Sequence, residues 1–455
     1  MFIDRRPNLF AAALMMLTIA FASATLTSCG DDSDDDKDTE KNDNDGTEND
    51  IALEDHCPGE LDADIEPALC TISGGEYTED YTWIEDIQYL LDGRVFIGDG
   101  DGETTLTIEP GTLILGNAGD KDGAALIIQK NSKIMAVGKE DNPIVFSSSK
   151  EEGKRAEGDW GGLVINGNAP INVCDKKDCE SEGEGETGMY GGTDKKDNSG
   201  VLKYVRIEFS GKQLTEDSEF NGLALQGVGS GTTIDYIQIH RTSDDSLEFF
   251  GGTAEVSHML LTGCGDDGFD WTQGWSGKAQ YVVIEQADDI ETNRGIEADN
   301  LSDNNDAEPR ANPTLSNFTI IGSPKNTGDT LGVMLREGTA GTLKNFVITG
   351  FEKCIDVDHD ATWAQADSGK LSIDYSLVES DDCFAVDDDE SSLVKDDFFD
   401  KGSHNIIDDP DLDGWVPSSG SPVLGAGDSS TGADFMGAIG DEDWTDGGWT
   451  DFPEN

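Results

Sequence analysis

Short apolar–polar alternations recur along this chain, separated by turns rich in glycine, aspartate and asparagine. One run reads Lys203-Tyr204-Val205-Arg206-Ile207. It returns as Asp235-Tyr236-Ile237-Gln238-Ile239, Ser257-His258-Met259-Leu260-Leu261 and Gln280-Tyr281-Val282-Val283-Ile284. Further copies start at Asn317, Asn345 and Asp374, giving steps of 32, 22, 23, 37, 28 and 29 residues. A second run follows each first one: Ser246-Leu247-Glu248-Phe249, Gly268-Phe269-Asp270-Trp271, Gly295-Ile296-Glu297-Ala298, Gly332-Val333-Met334-Leu335, Cys354-Ile355-Asp356-Val357 and Cys383-Phe384-Ala385-Val386. A strand alternates its faces with period two. Leu247, Phe269, Ile296, Val333, Ile355 and Phe384 should therefore stack as one inward column, with Glu248, Asp270, Glu297 and Asp356 lining the outside. The shortest step holds three short strands and three turns. It is too short for a propeller blade, and the asparagine ladder of a leucine-rich repeat is missing. The pattern thus predicts an all-β chain, a right-handed, single-stranded parallel β-helix whose coils touch only their neighbours. Coils rise about 4.8 Å, so Cys354 and Cys383, at one repeat position, fall within disulfide reach.

The earlier chain reads the same way, from Thr105-Leu106-Thr107-Ile108 through Leu126-Ile127-Ile128 to Leu163-Val164-Ile165. Several of its motifs carry a resemblance: Leu90 to Phe96, the Ile108 to Thr112 turn, the Pro143 to Ser149 strand and the Gly158 to Gly162 turn. Tyr190-Gly191-Gly192-Thr193, Phe249-Phe250-Gly251-Gly252 and the Trp444…Trp449-Thr450 ending belong to the same set. Together they resemble a large group of Bacteroidetes-type secreted β-helix proteins over roughly residues 80–455. The resemblance implies fold and location and supplies no catalytic residues.

The N-terminus looks like a processing signal. Arg5 and Arg6 precede an apolar stretch from Leu9 to Leu26, then Leu26-Thr27-Ser28-Cys29-Gly30. This resembles a bacterial lipobox, which implies cleavage before Cys29 and lipidation of its sulfur; the alternative is a retained membrane helix. From Asp31 to Asp50, eleven of twenty residues are Asp or Glu. Such a run cannot bury enough apolar surface to order itself and reads as a tether. Its place after Cys29 resembles a surface-export signal, which implies an outer-membrane lipoprotein facing the exterior; a periplasm-facing anchor is the alternative. The expected organisation is signal peptide 1–28, lipidated Cys and linker 29–55, N-terminal cap 56–80, β-helix 81–440 and C-terminal tail or cap 441–455.

Composition narrows the partners. With 95 acids against 30 bases the net charge is −65, which disfavours nucleic acid and leaves the membrane to the lipid anchor. Polysaccharide or another surface ligand is the better candidate. Eight cysteines in an exported chain point to disulfides. Beside Cys354–Cys383, the spacing suggests Cys57–Cys70 and Cys174–Cys179, with Cys264 left as a buried thiol.

The sharpest chemical feature is an acidic ladder. Asp244-Asp245, Asp266-Asp267 and Asp288-Asp289 are spaced by 22 and 22 residues, and Glu248 and Asp270 share that spacing. Stacked carboxylates repel, and a hard cation such as calcium relieves them. The plainer reading is that turns favour aspartate for local backbone hydrogen bonds. Gly265-Asp266-Asp267-Gly268 resembles the paired aspartates of β-helix galacturonases, but the His-Gly turn and the Arg-x-Lys element of that family are missing. Trp275 and Trp363, in predicted loops, are candidates for stacking on sugars, and Trp271 should point inward. Three functions stay open: a non-enzymatic surface binding or adhesion protein, a calcium-dependent polysaccharide lyase or glycoside hydrolase, and a purely structural spine.

Overall fold

The structure, a computed structural model, describes residues 52–453 except 216–217, 291, 326–329, 381–382 and 385–393. The stretches expected to be signal peptide and tether, Cys29 included, lie outside the described residues. The rest is a parallel β-helix built on one 25-stranded sheet. Its first rung is Ala68–Tyr77, paired in parallel with Ile87–Ile97, so coiling begins inside the stretch expected to act as a cap. The last is Ile406–Ile407 on Leu377–Val378. The disulfide Cys57–Cys70 ties the entry segment to the first rung, Cys174–Cys179 closes a surface loop, and Cys354–Cys383 joins successive coils with Cα atoms 5.0 Å apart. Cys264 is a buried free thiol.

Each coil has three walls. The strand read as one piece, Gly200–Glu208, is two of them joined at a corner. Tyr204 sits there in the left-handed conformation (φ 50°), as do Tyr236, His258, Tyr281, Asn317, Asn345 and Tyr375 in the coils that follow. A side chain strains in that region, yet one such residue turns the chain without a loop. The first wall lies before the corner (Val201–Lys203), the second after it (Val205–Glu208), and the third is Leu223–Gln226, with its counterparts in later coils. The register puts Lys203, Asp235, Ser257, Gln280, Ser316, Lys344 and Asp374 in one column. Asn317 and Asn345 thus align with the tyrosines, one place later than the apolar pattern alone suggested.

The core is made of in-register columns. Leu247, Phe269, Ile296, Val333 and Ile355 stack on the third wall as expected, and Phe384 bridges to Ile355. Beside them run Leu225, Phe249, Trp271, Ala298, Leu335 and Val357, all buried. On the second wall the Phe318 and Phe346 rings stack at 4.7 Å.

Alternation on the second wall aims Arg206, Gln238, Leu260, Val283, Thr319, Val347 and Leu377 outward in one row. Four of these are apolar, and all four are buried. The C-terminal segment covers them. It runs back along the solenoid as a strap: Val423 and Met436 pack on Val347 and Leu377, and Ala438, Ile439 and Trp449 on Leu260 and Val283. The two corner asparagines hold it. Asn345 accepts from the Asp428 amide at 2.7 Å and donates to Thr431 Oγ1 at 3.0 Å, while Asn317 donates to the carbonyls of Phe435 and Gly437. Farther along, the Gln238 amide bonds both the N–H and the C=O of Asp451. Trp444 and Trp449 therefore seal a side face and do not cap an end. Asn345→Ala removes this clasp and puts a Cβ-bearing residue with no compensating bond in the left-handed corner. It should cost about 1–3 kcal/mol and make the strap the first site cut in limited proteolysis. Unchanged melting and cleavage would refute the clasp.

Candidate functional site

The outward face of the third wall changes character along its length. Phe96, Ile127, Val164 and Ala224 follow one another in register, and then come Glu248, Asp270 and Glu297 on three successive coils. The apolar part is covered by the excursion bearing Ile171, Cys179 and Tyr190, together with Phe220. The acidic part points away from the core as expected, but it is not open. Glu248 and Glu297 are each 8% exposed.

The turn before this wall adds the aspartates. Asp245 and Asp267 occupy one column, buried, and each reaches across to the next coil: Asp245 Oδ1 accepts from the Asp267 N–H at 2.9 Å, and Asp267 Oδ1 from the Arg294 N–H at 2.8 Å. The backbone hydrogen bonds expected of turn aspartates are present, but they run between coils. Three adjoining groups result: Asp244, Asp245 and Asp266; Asp245, Glu248 and Asp270; Asp267, Asp270 and Glu297. In each, one oxygen per residue lies within 4.8 Å of the others. Asp245 and Asp270, each shared by two groups, link them into one slot.

Asp288 and Asp289 are not part of it. Register pairs Phe269 with Ile296, so the residues that follow Asp266-Asp267 in the column are Asn293-Arg294. The turn from Ile284 to Ile296 is four residues longer than the one from Leu261 to Phe269, and the insertion carries the acidic pair away: Asp288 bonds Ser323 and Lys325, and Asp289 bonds Arg241. Glu297 takes the third rung. The repeat alignment already put Glu297 in the outward row with Glu248 and Asp270; counting 22 left it out of the candidate ligand set. Asp299, Asn221 and Arg336 gave no sequence signal. Asn221 donates to Glu248 Oε2 at 2.6 Å.

Trp275 is a correction of another kind. It is fully buried and stacked on Phe249 at 4.0 Å, so it cannot meet a ligand. Trp363 lies on the short helix Asp360–Asp367 and packs against the core. Trp271 points inward as expected. His258 is a corner residue between Tyr236 and Tyr281, and its Nδ1 meets both Asp235 (2.8 Å) and Ser257 (3.1 Å). One nitrogen serving both neighbours is no nucleophile relay.

Burial dominates the slot's electrostatics. It pushes Asp244 up to about 10, with Glu248, Glu219 and Asp266 adding repulsion. Asp245, Glu248, Asp267 and Asp270 are raised well above the carboxylate range, again by burial first and then by neighbouring carboxylates, among them Asp244 on Asp245, Glu184 on Glu248, Glu297 on Asp267 and Glu248 on Asp270. Asp299 rises to about 6, held back by Arg336. Like charges about 4.8 Å apart repel by roughly 1 kcal/mol in water and roughly 3–4 at an effective dielectric of about 20. The cations at hand sit at one end: Arg294 meets Glu297 at 3.0 Å and Arg336 meets Asp299 at 2.9 Å. Asp270 Oδ1 is buried without a partner. An all-oxygen, carboxylate-rich slot with an orphaned acceptor suits a hard divalent cation, calcium before magnesium, because calcium tolerates irregular ligand geometry.

The chain matches the family model described as pectate-lyase like beta helix domain over residues 75–408. No curated protein and no solved structure matches it. The matched span runs from the end of the first rung through the last, the acidic slot included, and the chain belongs to the pectate-lyase-like β-helix domain family.

Proposed function

We propose that this protein is a lipid-anchored, non-enzymatic binding module on the outer face of the outer membrane. Its β-helix engages a polysaccharide or another surface ligand and is stabilised by calcium in the acidic slot. The anchor rests on Leu26 to Cys29 and the acidic run behind it. The observation that carries the cation reading is the set of three linked carboxylate groups with a buried, unpartnered Asp270 oxygen. Their burial favours an ion over a sugar ring: Asp245 and Asp267 are 6% and 3% exposed. The alternative, a calcium-dependent polysaccharide lyase or hydrolase, draws on Arg294 and Arg336 beside the slot, but both guanidinium groups are already paired with its carboxylates. A purely structural spine would show no ligand at all.

Three measurements test this. Carboxylates with folded pKa values above their unfolded value bind protons on folding, so their contribution to stability falls as pH rises from about 4. Asp244, near 10, extends the loss through neutral pH. In chelator the melting temperature should therefore be lower at pH 8 than at pH 5.5. Millimolar calcium should raise it most at pH 8 and flatten the slope. Asp270→Asn should raise the chelator value by about 1–4 °C and remove most of the calcium shift. Equal melting in chelator and calcium at pH 8 would eliminate the cation.

Incubation of residues 51–455 with acidic and neutral polysaccharides and calcium should yield no new reducing ends or unsaturated products. Cleavage would make the lyase or hydrolase reading correct. Cys29→Ser should abolish incorporation of a labelled fatty acid and release the chain from the membrane fraction. Retained label would refute the anchor.

A further inference from the structure

We propose that the cation of the acidic slot sits at its Asn221 end and clasps two surface hairpins onto the third wall. The inference rests on the calcium reading and adds a location, a neutral ligand and a structural consequence. Register places Asn221, Asp245, Asp267 and Arg294 in one column on successive coils, so an amide closes one end and a guanidinium the other. At the guanidinium end Arg294 and Arg336 already meet Glu297 and Asp299. The Asn221 end has no such cation.

Asn221 itself points to the ion. It is 3% exposed, and its Nδ2 donates to Glu248 Oε2 at 2.6 Å, which turns the amide toward the slot. Its Oδ1 has no hydrogen-bond partner, and neither has Asp270 Oδ1. The adjoining group is Asp245, Glu248 and Asp270, with one oxygen of each within 4.8 Å of the others. An ion needs no open cavity among such oxygens. Calcium bonds oxygen at about 2.3–2.6 Å, so it bridges oxygens at these separations, and it takes amide carbonyls beside carboxylates.

Two carboxylates from outside the coils face the same end. Glu184 lies in the turn of the hairpin that pairs Ser181–Glu182 with Met189–Tyr190. Glu219 ends the hairpin that pairs Gln213–Thr215 with Ser218–Glu219, and its N–H donates to Glu184 Oε1 at 3.1 Å. Beyond burial itself, Glu184 is the largest influence on Glu248, and Glu219 meets Asp244 directly. Tyr190, Leu214 and Phe220, on or beside these hairpins, cover Ile127, Val164 and Ala224 of the third wall. Without the ion, Glu184 and Glu219 are pushed away from Glu248 and Asp244. A divalent ion among those carboxylates turns the repulsion into attraction. Its removal should therefore loosen the cover and leave the coils closed.

The test is hydrogen exchange of the full chain, purified in detergent, at one neutral pH, in chelator and in millimolar calcium. Calcium should slow exchange at least tenfold in peptides that contain Glu184 and Glu219, and leave the rung Leu331–Leu335 unchanged. Asn221→Ala should raise the calcium concentration at half-effect at least tenfold. The double variant Glu184→Gln, Glu219→Gln should already be protected in chelator, because the repulsion is gone, and calcium should add less than twofold. It serves if the alanine variant melts early. Calcium that raises the melting temperature without protecting the hairpins overturns the clasp and spares the cation. So does an Asn221→Ala chain that responds like wild type, or a double variant as exposed in chelator as wild type. If calcium changes neither melting nor exchange, the cation and the clasp fall together.

Discussion

A parallel β-helix has to turn each coil without losing hydrogen-bond register to the coils on either side, and here one of its turns is a single residue in the left-handed conformation. Tyr204, Tyr236, His258, Tyr281, Asn317, Asn345 and Tyr375 all take it, at roughly 1–2 kcal/mol each relative to a relaxed backbone. Stacking supplies the return. Because the corners repeat with the coil, their side chains lie one above another: Tyr204 on Tyr236 at 4.7 Å, Tyr236 on His258 at 4.3 Å, His258 on Tyr281 at 5.0 Å. Where the rings give way to Asn317 and Asn345, the amides grip the strap. The strap in turn covers the outward apolar row of the second wall. Corner, ladder, clasp and cover form one dependency, and each depends on coil register.

That dependency explains what could be read from the chain and what could not. The inward columns were legible because Leu247, Phe269 and Ile296 obey a period-two rule that needs no knowledge of the turns. Cys354–Cys383 followed from repeat position alone. Asn317 and Asn345 were placed one residue early because an asparagine before an apolar run looks like the start of a strand, and backbone handedness leaves no mark in a hydrophobic pattern. Leu260 and Val283 gave no sign that a distant segment would bury them. Trp275 was read as a loop residue, but its loop is short enough to fold the ring back under Phe249.

The acidic slot was half legible for the same reason. Asp244-Asp245 and Asp266-Asp267 recur at the minimal coil length, where sequence distance equals coil distance. The next turn carries an insertion, so counting residues led to Asp288-Asp289 while register leads to Asn293-Arg294 and Glu297. The substitution matters physically. Arg294 ends the aspartate column with a guanidinium, and Arg336 meets Glu297 and Asp299 from the next coil. Repulsion is therefore relieved at one end of the slot and left standing around Asp244, Asp245, Glu248 and Asp270.

Two agents can relieve what remains, protons and a cation, and they compete for the same oxygens. Raised pKa values favour proton uptake, and the burial that raises them also weakens water's hold on each carboxylate. Backbone amides already occupy one oxygen each of Asp245 and Asp267, which fixes those side chains in place and leaves their other oxygens facing their neighbours. A proton neutralises one carboxylate at a time, whereas a divalent ion neutralises two and coordinates several, with the rigid coil spacing setting the separation in advance. In a chain of net charge −65 the surrounding field also favours any cation over none.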